Sequence, residues 1–541
     1  MSLADAEVDV LIVGGGPVGL TARALLERWG VRVSLVEKHG ELSPFPRSRL
    51  VNVRSMEIYR GLGLAGAITA GAFAPEYGRI RFRDTLHDRD FATAAMVGIN
   101  GPIPESPVTG VVSSQDRLEP TLIAAADAEM RFGAELVDLT EEADSVVAVL
   151  VDRRSGEETR VRARYVLAAD GANSTVRQRL GIGTTGPGAL AAVTTVVFDA
   201  DLDGWCADQP AGVYFTAHGS FLPLYPEGGW AWLGPTPEDA EHTDWAGLVS
   251  RALGPGPDAG VRADVSRVQH WVMNAFVAER FRHGRILLAG DAAHAIPIVG
   301  GLGMNTGIAD VHNLCWKLAG VLQGWAGPSL LDTYETERRP VAQRTLHQAV
   351  ANSKLMFEAQ SLRHEQLQSG EAAPERVELP WSDRYFAQLG LVLGAAYRSD
   401  AVLGDGALAD GGTPPEPTDT GTGAGAGTDT GTDYVPTAEP GHRMPHLWLT
   451  PDRSTLDAFG EWFTLLTPDP AAWQQQATAP GLLRIERLPG EHADLCGLGP
   501  QGALLVRPDG HIGARWRDRA PSETALRHAL TAIGGSPRSS P

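Results

Sequence analysis

The chain of 541 residues carries 46 Lys and Arg against 66 Asp and Glu, a net charge of −20, with 43% hydrophobic and 21% charged residues. Such a composition is ordinary for a globular protein of two or three domains at roughly 100–200 residues each. Its acidity argues against nucleic acid or an anionic membrane surface as the main partner. Cys206, Cys315 and Cys496 lie far apart with no Cys-x-x-Cys or Cys/His spacing, so neither a disulfide framework nor a metal site is expected, and a reducing cytoplasm fits. The acidic start MSLADAEVDV enters a strand almost at once and no apolar run reaches about 18 residues, so neither a signal peptide nor a membrane span is predicted.

The first strand, with Val8, Val10, Leu11, Ile12 and Val13, runs into Gly14-Gly15-Gly16-Pro17-Val18-Gly19. A helical pattern (Leu20, Ala24, Leu25, Leu26) and a second apolar strand, Val31 to Val36, follow. Strand, glycine turn, helix and strand are the setting in which G-x-G-x-x-G binds a dinucleotide. Gly14 permits the sharp turn, Gly16 leaves room for a pyrophosphate, and Gly19 lets the helix lie close to the sheet, with its free N–H groups facing the phosphates. Glu37 ends the second strand about twenty residues on, where a carboxylate accepts from a ribose 2′-OH and repels a 2′-phosphate. An adenine dinucleotide such as FAD or NAD is therefore expected as the tightly held ligand.

A polar loop, HGELSPFPRSRL, leads to a helix expected to open at Ser55. Arg47, Arg49 and Arg54 sit here and are read either as phosphate contacts or as surface arginines. From about Tyr77 short alternating segments (GRIRFRD, VTGVVSSQ) precede a helix predicted from Asp116 through Met130, with Gln115 and Arg117 at its start, where side chains can face a cofactor. Ala134 to Val161 alternates as antiparallel strands about the turn Arg154-Ser155-Gly156-Glu157. Tyr165 to Ala169 reads as a buried strand running through Asp170-Gly171-Ala172-Asn173-Ser174 into a helix. Between Ala192 and Trp271 lie aromatic-rich strands (TTVVFDADL, GVYFTAHGSFLPLYP, GGWAWLGP, VQHWVMNAFV), interrupted by a helix from His242 to Leu253. They predict a second sheet with one face on a cavity, although period-2 alternation also predicts a plain β core for part of these aromatics.

Arg285 to Ala289 is a third short buried strand, ending in the polar turn Gly290-Asp291-Ala292-Ala293-His294. A loop and a helix beginning near Gly303-Met304-Asn305 follow, then a helix over Leu330 to Ala359 with a strongly charged face, Glu335-Thr336-Glu337-Arg338-Arg339. The tract Gly404 to Thr437 is low-complexity glycine, threonine and proline that cannot bury apolar surface. Beyond it PHLWL, WFTLLT, LLRIERL and ALLVRPDGHIGARW read as strands of an α/β module with a terminal helix near Glu523 to Ala532.

Four separated stretches together resemble the class A flavoprotein monooxygenases, the aromatic hydroxylases that hold FAD. They are the Gly14 turn with Glu37, the segment Pro46 to Tyr59, Asp170-Gly171-Ala172-Asn173-Ser174-Thr175-Val176-Arg177, and Gly290-Asp291-Ala292-Ala293-His294 with its glycine loop. Tyr397-Arg398-Ser399 and Pro445-His446-Leu447-Trp448-Leu449 further resemble the bacterial polyketide and indolocarbazole tailoring hydroxylases. The resemblance implies an α/β fold: a Rossmann-type FAD-binding domain of the aromatic-hydroxylase (glutathione-reductase-like) fold, a β-sheet substrate domain and a C-terminal thioredoxin-like domain. The expected boundaries are 1–180 for FAD binding with interleaved strands at 75–115, 181–280 for the substrate sheet, 281–400 for the continued FAD-binding part and long helices, 404–437 for a linker and 438–541 for the last domain.

The resemblance also implies FAD contacts, at Gly14, Gly16, Pro17, Val18, Gly19, Glu37 and Lys38, at Arg47 and Gln115, and at Asp170, in a stretch that also serves NAD(P)H. Asp291 is implied on the ribityl hydroxyls, and Pro297, Gly300, Gly301, Leu302, Gly303, Met304 and Asn305 against the isoalloxazine. A helix starting at Gly303 independently aims N–H groups at the flavin edge that becomes negative on reduction. Ile298 stands where that family usually has a second proline, Leu302 where it has glutamine, and Cys496 alone excludes dithiol chemistry in the C-terminal module.

The implied cycle reduces FAD with NADPH or NADH, forms a flavin C4a-hydroperoxide with O₂ and passes one oxygen to an electron-rich ring, while the protein positions the ring and excludes water. Tyr214, His218, Tyr225, His270 and Asn274 are the candidates for orienting or deprotonating a phenol. The mix of small and aromatic residues (Gly212, Ala217, Gly219, Trp230, Trp232) suits a polycyclic, polyketide-like aromatic. A monomer or homodimer is expected. Three rival activities fit parts of the same pattern. A flavin-dependent halogenase is similar in Trp230-Ala231-Trp232, but Leu233-Gly234-Pro235 follows and none of the lysines Lys38, Lys317 and Lys354 stands where that family keeps its own. Baeyer–Villiger oxygenation and a catalytically idle FAD-binding partner remain alternatives on the same scaffold.

Overall fold

The structure, a computed structural model, describes residues 6–43, 45, 47–206, 208–224, 228–254, 261–368, 377–379, 381, 385–404, 433–475, 482–518 and 523–535. Tyr225 and nearly all of the low-complexity tract lie outside these residues. Three sheets organise the rest.

In the first sheet five strands run parallel side by side, in the order Ile286–Leu288, Glu158–Ala168, Ala6–Val13, Val33–Glu37 and Glu129–Phe132. Their near-continuous apolar runs are what a sheet covered on both faces requires, and Val10, Leu11, Ile12, Val166, Leu167, Ile286, Leu287 and Leu288 are fully buried. Registers align Val13 with both Ala168 and Val36, and Ala168 with Leu288. Chain segments nearly 300 residues apart therefore end on one edge, at the carboxyl ends of adjacent parallel strands, where open α/β sheets bind ligands.

The helix Gln115–Ile123 is shorter than the sequence suggests, and Met130 belongs to the sheet-edge strand Glu129–Phe132. The cause is distant: Arg23, on the helix Pro17–Arg28, donates to the carbonyls of Ile123, Ala126 and Ala128 at 3.0, 2.7 and 2.8 Å, so these oxygens are satisfied without another helical turn.

The second sheet orders His294–Ala295, Asp264–Ala278, Thr184–Asp199, Trp230–Pro235, Gly219–Pro223, Val213–Thr216, Arg79–Phe82 and Ala92–Ala95. Its two faces are unlike. Tyr214, Phe221, Trp230, Trp232, Val196 and Phe198 form a core with the helix Trp245–Leu253. Phe82 and Phe215 lie on the other face and pack with Met356, Phe386, Trp381 and Val299. The expectation that Trp230 and Trp232 line a cavity is thus corrected: alternation along Trp230–Pro235 assigns both indoles to the face that the 245–253 helix covers.

The third sheet, Leu483–Arg487, Phe463–Thr467, Ala503–Val506 and Ile512–Trp516, is parallel at its first pair and antiparallel at the other two, with the helix Glu523–Gly534 beside it. It docks on the long helices. Leu302–Gln323 and Asp332–Gln368 both begin within two residues of where the periodicity places them. The charged face expected on the latter is not a surface, because Glu337 and Arg338 are each only 2% exposed. Glu337 is held by Lys317 Nζ at 2.7 Å and by Arg507 Nη1 at 2.6 Å from the third sheet.

Candidate active site

The Gly14 turn is fixed by sterics. Gly14 has φ +111°, and a β-carbon there would stand 2.3 Å from the Ala169 carbonyl oxygen, so only glycine fits. Pro17 opens the helix Pro17–Arg28, and Gly16 before it offers no side-chain cap, which leaves first-turn N–H groups free. In front of Gly16 a β-carbon would meet no protein atom within 4 Å, the open space that a close-lying phosphate needs. Glu37 Oε2 accepts the Gly15 N–H at 2.7 Å, and Oε1 accepts the His39 N–H at 2.9 Å. Burial opposes its ionisation, but the backbone donors of His39 and Gly15 overrule it, and the carboxyl sits below its usual range. Lys38 is exposed just beyond.

Of the three arginines in the 47–54 segment only Arg47 stays exposed, within electrostatic reach of Asp291 and Glu119. Arg49 instead donates to the carbonyls of Gly212 and Pro223, each at 2.8 Å, and lies over the Phe73 ring, with its pKa pushed down to about 9 by burial. Arg54 donates to Glu57 Oε2 and to the Asp509 carbonyl. These two tie the first sheet's helices to the other two sheets. Gln115 donates to Glu119 Oε1 at 2.6 Å. Glu119 escaped the sequence reading, although its i, i+4 spacing from Gln115 was visible. Burial pushes its carboxyl up to about 7 against the pull of Gln115 and Arg47.

Ser174 caps the helix Thr175–Arg179, accepting from the Arg177 N–H at 2.9 Å, and Asp170 Oδ2 accepts from the Val176 N–H of the same turn at 3.2 Å. Arg177 then clamps two loops together, donating to the carbonyls of Ala172 and Ala292 at 2.7 and 2.9 Å. Asp291 is exposed to the groove yet walled round by protein, and loss of hydration pushes its carboxyl up against the pull of His294 and Arg47. A β-carbon on Gly303 would lie 3.9 Å from Asp291 Oδ1, so this carboxylate faces the start of the helix Leu302–Gln323, whose N-cap, Gly301, also lacks a side-chain cap.

Within that helix start the roles divide. The Asn305 side chain is spent on structure: Oδ1 accepts from Asn52 N and Ser55 Oγ, and Nδ2 donates to the carbonyls of Leu50 and Gly301. Leu302 is buried in an apolar hollow with Leu50, Val53, Met96 and Leu389, and Met304 packs against the main core. These residues offer the groove peptide groups rather than side chains. Pro297 is buried, and Ile298 is 54% exposed.

The phenol-orienting candidates do not converge. The Tyr214 hydroxyl donates to the Gln209 carbonyl at 2.8 Å in the core under the 245–253 helix. His270 Nδ1 lies 2.9 Å from Thr194 Oγ1, with its ring against Trp245 of that helix. His218 sits in an exposed turn where its carbonyl accepts from Trp232 Nε1, and Asn274 Nδ2 bonds to the carbonyl of its own strand's Val272 at 3.3 Å. What stands beside the Val299–Gly300 loop instead is an aromatic shelf: Phe82 stacked on Phe215 at 5.4 Å, with Trp381 at 6.1 Å and Phe386 beyond. Among the described residues no group of His, Cys, Asp and Glu could hold a metal ion, and no helix is long and apolar enough to cross a membrane.

Two helix tips without side-chain caps, the Glu37 carboxylate at the end of the second strand and the Asp291 carboxylate opposite the second tip suit an extended adenine dinucleotide that bears a second ring system. The fold is that of FAD-binding hydroxylases, with a four-stranded mixed sheet in its C-terminal module. Comparison with known proteins agrees. The family model described as "FAD binding domain" matches residues 7–349, and that described as "Aromatic-ring hydroxylase, C-terminal" matches residues 437–537. A putative polyketide hydroxylase of Streptomyces halstedii is 37% identical, with 97% of each chain covered. A 4-methyl-5-nitrocatechol 5-monooxygenase of a Burkholderia species is 35% identical, with 98% of each covered. The crystal structure of aklavinone-11 hydroxylase with FAD and aklavinone superposes with a TM-score of 0.81 at 31% identity, over 98% of this chain and 100% of that one. The chain belongs to the FAD-binding aromatic-ring hydroxylases, and it is a flavoprotein monooxygenase, as its sequence resemblance implies.

Proposed function

We propose that the chain consumes NADPH or NADH and inserts one oxygen atom from O₂ into a bulky polycyclic aromatic of polyketide type. The observation that carries this reading is Val299, which packs on the aromatic cluster of Phe82, Phe215, Trp381 and Phe386 three residues before the helix start that faces Asp291, with Phe215 and Trp381 the part-exposed rings of that cluster. Flat aromatic side chains in offset contact favour a flat aromatic guest. The names of the polyketide and aklavinone hydroxylases among its relatives support a fused-ring substrate.

When bound, FAD supplies hydride acceptance and O₂ activation. The protein's share is positional. Gly14 to Gly19 and Glu37 hold the adenosine and pyrophosphate end, and Arg47 and Gln115 flank it. Asp170 and Asp291 hold the polar middle, and the first-turn N–H groups of the Leu302 helix stabilise negative charge on the ring system. The 181–280 sheet, through its Phe215 face, orients the substrate ring and keeps water away. A cytoplasmic monomer or homodimer fits this role and the three buried, unpaired cysteines.

The purified protein is expected to be yellow, to oxidise NAD(P)H faster when a polycyclic phenol is added, and to give a product heavier by one ¹⁸O under ¹⁸O₂. Protein that is colourless and cannot be reconstituted with FAD ends this reading. A ring-expanded lactone, or the hydroxy acid formed by its hydrolysis, replaces hydroxylation with a Baeyer–Villiger outcome.

A further inference from the structure

The turn that presents Asp291 is gripped from behind. Gly290, the residue before it, gives its N–H to Asp310 Oδ2 at 3.2 Å, and His294 Nε2 lies 2.6 Å from the same oxygen. The other oxygen, Oδ1, accepts from Arg338 Nε at 2.8 Å. Asp310 and His294 are wholly buried. Burial opposes the Asp310 charge, but His294 and Arg338 hold its carboxyl below the usual range. A buried charge with partners fixed in three directions has little freedom to turn, so the strand end that it holds has little freedom either.

Arg338 continues the chain of contacts. Its Nη2 donates at 3.1 Å to the carbonyl of Thr306, in the first turns of the Leu302 helix. Its Nη1 donates at 3.0 Å to the Tyr397 hydroxyl. The Tyr397 ring stacks on His511 of the C-terminal module with centroids 4.1 Å apart, and the Tyr397 N–H bonds to the carbonyl of Gly441. The neighbour of Arg338, Glu337, is seized by Arg507 of the same module. The C-terminal module therefore reaches both walls of the flavin groove through Arg338, which bonds to Asp310 on one side and to Thr306 on the other.

We propose that Asp310 is a positioning residue for the flavin, setting the angle at which Gly290 and Asp291 enter the groove, and that the C-terminal module acts on the flavin through Tyr397, Arg338 and Asp310. The proposal rests on the FAD reading above and gives this module, which lacks a dithiol, a supporting part in the site.

The test compares full-length wild type, Asp310→Asn, Tyr397→Phe and the double variant. The readouts are FAD dissociation constants from fluorescence titration, the visible absorption band of the bound flavin, and melting of the FAD-free protein. Asp310→Asn keeps the shape and removes the charge, and is expected to weaken FAD about tenfold and shift the flavin band. Tyr397→Phe keeps the stack on His511 and removes one hydrogen bond, and is expected to weaken FAD about threefold. The double variant should bind no more weakly than Asp310→Asn, because both changes act along one path. Unchanged FAD affinity and band in the folded variants, or losses that simply add, overturn the proposal, as does lower melting of the FAD-free protein with unchanged affinity. If Asp310→Asn does not fold, Tyr397→Phe decides by the same two readouts. Wild type that binds no FAD defeats the functional reading instead, so the two failures are distinct.

Discussion

Gly307, on the Leu302–Gln323 helix, meets Val18 of the Pro17–Arg28 helix so closely that a β-carbon on it would stand 2.6 Å from Val18 Cγ2 and 2.8 Å from Gly290 Cα. Two helix tips can share one groove only if the helices approach to this degree, and the missing side chain permits it. Gly307→Ala should force them apart. Overpacking of this kind costs about 1–3 kcal/mol, and FAD affinity should fall with it. Thermal melts with and without FAD check the first point, and fluorescence titration checks the second. A variant that melts as wild type and binds FAD equally well would show that the contact is loose.

The Glu37 carboxylate accepts from two peptide N–H groups, and in the function proposed above it takes a ribose hydroxyl as well. Glu37→Gln keeps the shape but leaves a single acceptor oxygen, and should weaken FAD by about 1–2 kcal/mol. The pH dependence has a definite sign. The carboxyl is depressed in the folded protein, so its contribution is complete above the ordinary carboxylate range and is lost as pH falls through the lower folded value. FAD retention by wild type should decline in acid, and Glu37→Gln should flatten that decline. Equilibrium dialysis across acid pH measures both.

Much of the flavin groove is legible locally because glycine turns and strand-end carboxylates are short-range necessities. The Gly14 turn, Glu37, Asp170 and Asp291 sit at fixed offsets from apolar strands, and parallel pairing alone brings those strand ends together. The spacing of Gly303 and Gly307, one helical turn apart, is a further local sign of a helix that lies close to its neighbours. What the sequence conceals depends on remote partners. Nothing near Ile123 says that Arg23 will take the carbonyls beyond it, and nothing near Glu337 announces an arginine 170 residues later. Which face of an aromatic strand looks at the flavin is fixed by register, and a strand of alternating bulky residues reads the same from either side.

The junction of Glu337, Lys317, Arg507 and Asp509 should govern acid stability. Burial opposes ionisation of Glu337 and Asp509, but Arg507 overrules it, helped by Lys317 at the first and His511 at the second, so both carboxyls are depressed. Their contribution is present above the ordinary carboxylate range and is lost as pH falls through the folded values. Arg507→Met strips both of their main counter-charge while leaving them buried, a change that costs about 3–5 kcal/mol. Urea denaturation at neutral pH should show that loss, and the variant should unfold at a higher pH than wild type on acid titration. Equal urea midpoints would mean that water enters the junction and solvates it.

Tyr214 and Phe215 are neighbours in sequence but face opposite sides of one strand, and this separates two predictions cleanly. The Tyr214 hydroxyl donates to the Gln209 carbonyl and meets the Cys206 thiol, under the 245–253 helix. Tyr214→Phe should therefore cost about 1 kcal/mol of stability and leave turnover unchanged. Phe215 stacks on Phe82 in the shelf beside Val299, so Phe215→Ala removes ring surface on which a polycyclic substrate would lie. An aromatic contact of this sort is worth about 0.5–1.5 kcal/mol beyond the area it buries, so KM for a polycyclic phenol should rise about tenfold. FAD affinity and substrate-free NAD(P)H oxidation should stay as in wild type. Steady-state kinetics on the two variants, with melting temperatures alongside, read both effects. If Tyr214→Phe were the variant that lost substrate affinity, the ring would lie on the helix-covered face and the shelf beside Val299 would have no part in the reaction.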